Sequence, residues 1–266
     1  MVMIRTIIFD LDDTVIWDKK SVQTAFDRTC MYAADRTGAD ASALELAVRE
    51  TARSLYESYD TYEFTRMIGI SPFEGLWGTF DDPGEDFGRM RELVPVYQRD
   101  AWTGGLRTLG IDDPAFGGEL AGRFIEERRQ APFVYEETFD VLEKLKEHHR
   151  LVLLTNGAPS LQQLKLSITP ELSPYFDLIV ISGEFGRGKP DASIFRHVLE
   201  KTGTQGEEAL MVGDNLMTDI LGANRTGIHS VWINREGKDP DPDPEVVPAF
   251  EISHLGELDE VLEQLR

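Results

Sequence analysis

Ile7-Ile8-Phe9-Asp10-Leu11-Asp12-Asp13-Thr14 runs a continuous apolar segment straight into a cluster of carboxyl groups. An unbroken apolar run, with no polar alternation, is the pattern of a strand buried on both faces, as in a parallel sheet. The run begins at Ile4, and similar ones recur at 151–154, 178–181, 210–212 and 231–233. Apolar residues at helical spacing fall between or after them. Val141, Leu142 and Leu145 share one face, as do Leu161, Leu164 and Ile168, then Ile194, Phe195, Val198 and Leu199, and finally Leu258, Val261, Leu262 and Leu265. Strands alternating with helices predict an α/β fold with a doubly wound parallel sheet.

The strand pattern stops after the first run and resumes only near residue 150. Residues 17–130 read as helix, with breaks expected at 69–72, 81–84, 103–105 and 111–114 where glycine, proline and aspartate gather. We expect an all-helical domain at 17–130 inserted into an α/β core made of 1–16 and 131–266. A separate N-terminal helical domain would leave the strand at 4–9 without a partner. Asp239-Pro240-Asp241-Pro242-Asp243-Pro244-Glu245 suits neither a helix nor a central strand and is expected to be an exposed acidic loop.

Composition narrows the function classes. The 266 residues carry 27 Lys plus Arg against 48 Asp plus Glu, a net charge of −21, and no basic cluster. Nucleic-acid backbones and anionic membrane faces are therefore not the expected partners. With 41% hydrophobic residues the chain is too apolar for general disorder. No run approaches the roughly 18 apolar residues of a membrane span. The single cysteine, Cys30, excludes an intrachain disulfide and a Cys-rich zinc site, and fits a reducing compartment. The residues from Met1 to Asp10 lack a secretory signal's basic start, long apolar run and cleavage site, so the expected location is cytoplasmic.

Four polar signals stand where core strands should end, the edge at which open α/β sheets gather their ligands. They are Asp10-Leu11-Asp12-Asp13-Thr14, Thr155-Asn156-Gly157, Gly188-Lys189-Pro190-Asp191, and Gly213-Asp214-Asn215 with Asp219. Each alone is explained by ordinary turns and helix caps. Together they bring carboxylates, one lysine and one threonine to a common edge. Converging carboxylates repel unless a cation sits among them, and hard oxygen ligands suit Mg²⁺.

In these four motifs, their order and their place after strands, the chain resembles the haloacid dehalogenase (HAD) superfamily of phosphohydrolases. The likeness covers the α/β core and implies a Rossmann-like sheet with a helical cap after the first motif. Leu154-Thr155-Asn156-Gly157 with Lys165, Gly188-Lys189-Pro190 through Ile194-Phe195, and Val231-Trp232-Ile233-Asn234 are most similar to small-metabolite phosphatases such as nucleotidases and sugar-phosphate or phosphoserine phosphatases. The resemblance implies Asp10 as nucleophile and Asp12 as general acid and then base. It implies Mg²⁺ held by Asp10, the Asp12 backbone carbonyl, Asp214 and, through water, Asp219. Thr155, Asn156 and Lys189 would hold the phosphate. Family members that cleave carbon–halogen bonds generally lack the second acid, so Asp12 favours phosphate esters as substrates.

Other readings share these motifs. A phosphotransferase or mutase would use the same carboxylates, a dehalogenase the same scaffold, and a phospho-aspartate switch or an inactive regulatory scaffold needs no turnover. The insert is expected to choose the substrate. Most of Tyr56, Tyr59, Tyr62, Phe64, Phe73, Trp77 and Phe80 are expected in its own core, and Arg66, Arg107 and Arg123 on solvated faces.

Overall fold

The computed structural model describes residues 3–241 and 243–266; Met1, Val2 and Pro242 of the segments read above lie outside the described residues. The chain packs as two compact units. One takes in the chain up to Trp17, Val134–Asn156 and Thr169–Arg266, and the other takes in Asp18–Phe133 and Gly157–Ile168.

The first unit is built on six parallel strands: β1 (Thr6–Phe9), β2 (Arg150–Thr155), β3 (Leu178–Ile181), β4 (Ala209–Gly213), β5 (His229–Ile233) and β6 (Phe250–Ile252). Their order is β3-β2-β1-β4-β5-β6. β1 is central, with Phe9 level with Leu153 of β2 on one side and Val212 of β4 on the other. Ile7, Ile8, Phe9, Leu151, Val152, Leu153, Leu154, Leu210, Met211 and Val212 are wholly buried, which is why these strands read as continuous apolar runs. The chain winds outward from β1 to β3, then restarts at β4 on the other side of β1. In open α/β sheets, ligands gather at the carboxyl ends of the strands where the order reverses in this way. The sequence shows no signal for β6, a three-residue edge strand interrupted by Glu251, of which only Ile252 is buried.

Four long helices, Asp18–Thr37, Ala41–Ser58, Glu85–Thr108 and Pro114–Arg129, dominate the second unit. Asp40 and Asp113 cap the second and fourth through Ala43 N and Phe116 N. Their apolar faces close over Phe26, Trp102 and Phe124, whose rings lie 4.7–5.8 Å apart. Tyr56, Trp77 and Phe80 are buried in this core, and Tyr59, Tyr62, Phe64 and Phe73 pack against it. Arg66 and Arg107 pair at the surface with Glu63 and Asp112, whereas Arg123 is half-buried, pairing with Glu127 and lying over the Tyr32 ring.

Two expectations need correction. Residues 103–105 do not break a helix; they lie inside Glu85–Thr108. A Cβ on Gly105 would come within 2.4 Å of Val48 Cγ2, so the glycine lets two helices approach closely. The segment 157–168, assigned above to the α/β core, packs with the helical unit. Ala158 and Leu161 join its apolar cluster, Asp82 accepts from Ser160 N and Oγ (2.7 and 2.6 Å), and Lys165 pairs with Glu74 at 3.1 Å. Its helix, Pro159–Ser167, buries Gln162 and Lys165, whereas Leu164 and Ile168 of the expected apolar face are only half-buried.

Candidate active site

The first motif starts where β1 stops. Asp10 N still donates to Val212 O at 3.0 Å, continuing the ladder by one residue, and the chain then turns away. Val15 N and Ile16 N both donate to Leu11 O at 3.1 Å. Asp13 sits at φ +60°, a left-handed conformation that aspartate tolerates better than most residues. The turn leaves the Asp10 carboxyl buried at the strand end, with Thr14 Oγ1 donating to its Oδ2 at 3.3 Å. Asp12 is half-buried.

Lys189 meets Asp10 from the loop before the helix Ala192–Thr202. Its buried Nζ donates to Asp10 Oδ1 at 2.6 Å and to Leu154 O at 2.8 Å, and lies 2.6 Å from Asp219 Oδ1. The backbone of Lys189 is gripped at two points by one side chain. Lys189 N donates to Asn156 Oδ1 at 2.8 Å, and Asn156 Nδ2 donates to Lys189 O at 3.0 Å. Thr155, at the end of β2, is buried, and its hydroxyl donates to Asn156 O at 3.3 Å.

The fourth motif follows β4. Asn215 accepts at its backbone O from Asp219 N (2.9 Å) and Ile220 N (3.4 Å), opening a wide π turn over Leu216–Ile220. Such turns often accompany functional sites. The turn swings Asp219 back until Asn215 N donates to its Oδ2 at 3.2 Å. Gly213 makes room: a Cβ there would lie 2.3 Å from the Asp219 carboxyl carbon. Asp214 is held through its carbonyl, which accepts from Trp232 Nε1 at 3.0 Å.

These turns bring oxygen atoms of Asp10, Asp214 and Asp219 within 4.8 Å of one another. The electrostatics follow from burial and proximity. Desolvation pushes the Asp10 carboxyl up to about 6 from 3.8, against the pull of Lys189 and with Asp219 adding to the rise. Asp219 is likewise raised, chiefly by burial, with Lys189 opposing and Asp214 adding to the rise. Burial disfavours the Lys189 ammonium, but Asp10 and Asp219 outweigh it and raise its pKa. Three carboxyl groups against one ammonium leave negative charge at a site where Asp10 and Asp219 are buried and Asp214 is half-buried. Asp219 is wholly buried, and the Lys189 ammonium 2.6 Å from its Oδ1 offsets only part of the charge of the three carboxyl groups. Such an all-oxygen donor set fits a hard divalent cation.

Of the residues expected from sequence, Asp10, Lys189, Asp214 and Asp219 converge, and Thr155 ends the strand beside them. Both ends of the Asn156 amide engage the Lys189 backbone, tying the second motif to the third. Thr14 and Trp232 were missed as supports. Thr14 was legible in the Asp-x-Asp-x-Thr spacing, whereas nothing in the sequence marks an indole as the partner of a carbonyl eighteen residues away.

The family model for haloacid dehalogenase-like hydrolases matches residues 4–227. The phosphoserine phosphatase of Thermus thermophilus is 33% identical over 254 residues, covering 96% of this chain and 97% of that one. The pyrimidine 5'-nucleotidase YjjG of Escherichia coli is 34% identical over 213 residues, 74% of this chain and 93% of its own. Among solved structures, that of YfnB from Bacillus subtilis bound to magnesium aligns with a TM-score of 0.68 at 22% identity, covering 98% of this chain and 99% of that one. The 2-haloacid dehalogenase of Pseudomonas syringae aligns at 0.60 and 24% identity, covering 99% and 100%. The two structures share the fold of this chain. With a family match across most of its length and the motif residues gathered at one sheet edge, the chain belongs to the haloacid dehalogenase-like hydrolases.

Proposed function

We propose that this protein is a magnesium-dependent hydrolase of small phosphate monoesters in the cytoplasm, working through a phosphoryl group on Asp10. The observation that carries this reading is the convergence of Asp10, Asp214 and Asp219 within 4.8 Å, with the Lys189 ammonium 2.6 Å from Asp10 and from Asp219. Relatives named for phosphoserine and pyrimidine nucleotide substrates support a small phosphorylated metabolite as the partner.

Asp10 attacks phosphorus in line, forming an oxygen–phosphorus bond as the ester bond breaks. Asp12 delivers a proton to the departing alkoxide and, now ionised, takes one from the water that cleaves the phosphoryl group from Asp10. Mg²⁺ bound by Asp10, the Asp12 carbonyl, Asp214 and Asp219 would offset the charge of the phosphate dianion. Lys189 pairs with the Asp10 and Asp219 carboxylates and, with Thr155, would hold the phosphoryl oxygens. Asn156 acts one step back, fixing the backbone from which Lys189 reaches. The helical unit, as a cap inserted after the first motif, selects the substrate.

A panel of phosphate monoesters, assayed for phosphate release with Mg²⁺ and with chelator, tests the reading, with Asp10→Asn as the blank. We expect Mg²⁺-dependent release that the blank lacks. Release of halide from a 2-haloacid instead would favour the dehalogenase reading, and transfer to an added sugar without phosphate release would favour a phosphotransferase. Bound Mg²⁺ with no turnover on any ester would overturn the proposal.

A further inference from the structure

Arg235 leaves the end of β5 and belongs to none of the four motifs. We propose that it is a positioning residue for the acid–base carboxyl of Asp12, acting through the Thr14 carbonyl. The inference rests on the role given to Asp12 above.

The side chain is largely buried and held on three sides. Nη2 donates to Thr14 O at 3.1 Å, and Nη1 donates to Glu137 Oε1 at 2.7 Å. The guanidinium lies 3.5 Å from the centre of the Tyr135 ring, which in turn stacks on Trp17 at 5.1 Å and 18°. The backbone beneath it is equally fixed. Asn234 N donates to Ile252 O at 2.7 Å, and its Nδ2 donates to Glu251 Oε1 at 2.6 Å and Lys238 O at 2.9 Å. An arginine clamped this firmly transmits its own position to whatever it grips.

What it grips is the catalytic turn. Thr14 is wholly buried, lies two residues beyond Asp12, and holds Asp10 Oδ2 with its hydroxyl. Between Asp12 and Thr14 stands Asp13 at φ +60°, a conformation that persists where surroundings impose it. Thr138 Oγ1 pins the next carbonyl, Val15 O, at 2.9 Å, and Ile16 bridges to Val134. Ile16 also bridges to Asp12 itself, and the Arg235 bond fixes the turn from the other side of Asp13. Its planar fork serves the Thr14 carbonyl and the Glu137 carboxylate at once, which a lysine ammonium in the same place does poorly.

A displaced acid harms reactions in proportion to how much the leaving group needs its proton. The test compares kcat/KM for an alkyl phosphate and for p-nitrophenyl phosphate in wild type, Arg235→Met, Arg235→Lys and Asp12→Ala, with Mg²⁺ saturating. We expect the alkyl-to-aryl ratio to fall by about tenfold in Arg235→Met, toward the larger fall in Asp12→Ala, because misplaced acid–base groups lose much of a ~10²–10⁴-fold contribution. Arg235→Lys keeps a cation opposite Glu137, so it retains the fold if the Met variant does not, and its ratio should also fall. A general loss of packing would lower both esters alike and leave the ratio unchanged. If the ratio drops in Asp12→Ala but holds in the folded Arg235 variants, the inference is wrong. If Asp12→Ala leaves the ratio unchanged, or wild type cleaves neither ester, it is the assignment of Asp12 that fails.

Discussion

Replacing the proposed nucleophile should make the metal-free protein more stable while abolishing its activity. In Asp10→Asn the carboxylate that sits buried beside Asp214 and Asp219 becomes a neutral amide of the same shape. Burial raises the Asp10 carboxyl from 3.8 to about 6, so holding it ionised at pH 7 costs the folded state about 3 kcal/mol, at 1.36 kcal/mol for each pH unit of displacement. A pKa higher in the folded than in the unfolded chain means that the folded state binds more protons between the two values. Stability from this group is therefore full below 3.8, declines as pH rises toward 6, and stays lost above it. Thermal unfolding in chelator at pH 7.5 should place the variant roughly 6–12 °C above wild type. The gap should close as the pH is brought down to about 4, and added Mg²⁺ should stabilise wild type more than the variant. A variant no more stable than wild type in chelator, or a gap that ignores pH, would refute the electrostatic account of the site.

Other consequences follow from the same contacts. Gly213→Ala places a Cβ 2.3 Å from the Asp219 carboxyl carbon, so Asp219 must move. Mg²⁺ titration of activity should show weakening of about tenfold or more, the scale of a lost metal support, and an unchanged titration would contradict the role of Asp219. In the helical unit, Arg128 is buried, donates to Asp18 Oδ1 at 2.7 Å and to Ser21 Oγ, and lies over the Trp77 ring. Burial disfavours the Asp18 carboxylate, but Lys165 and Arg128 outweigh it and hold its pKa below 3.8. Asp18→Asn should cost about 3 kcal/mol in urea unfolding at neutral pH by stranding a buried guanidinium. That deficit should shrink only below pH 3.8, as wild-type Asp18 itself is protonated; a constant deficit down to pH 2.5 would rule out the ion pair as its source.

What the sequence made legible, and what it hid, divides along physical lines. Strands buried on both faces need apolar residues at nearly every position, so the central β1, β2 and β4 stand out as runs; the edge strand β3 keeps an apolar run although half of it is only part-buried, and the three-residue edge strand β6 buries one residue and leaves no pattern. Asp10, Lys189, Asp214 and Asp219 were legible because each follows an apolar run that reads as a strand, and turns at those strand ends bring them to one edge. Supports made through backbone groups were not. The Asn156 clamp on Lys189, the Trp232 bond to Asp214 O and the Arg235 bond to Thr14 O all depend on where a carbonyl or amide points, and any residue type supplies those groups. Glycine shows the same limit. Gly104 and Gly105 read as a break, yet close helix packing against Thr51 and Val48 requires the absent Cβ within a continuous helix. The helix Pro159–Ser167 was misassigned because periodicity counts apolar residues, and this helix is tied to its unit by Ser160, Gln162 and Lys165 as much as by leucines.

The central claim is that Asp10 carries the phosphoryl group between two half-reactions. Asp12→Ala, which lacks the base for the second half-reaction, mixed with Mg²⁺ and a p-nitrophenyl ester and quenched in acid within the first turnover, is the protein to measure. Peptide mass spectrometry should find one phosphoryl group on the peptide containing Asp10, in amount approaching one per active site, and none in Asp10→Asn. Turnover by wild type with no such adduct, or an adduct on any other residue, would contradict the account.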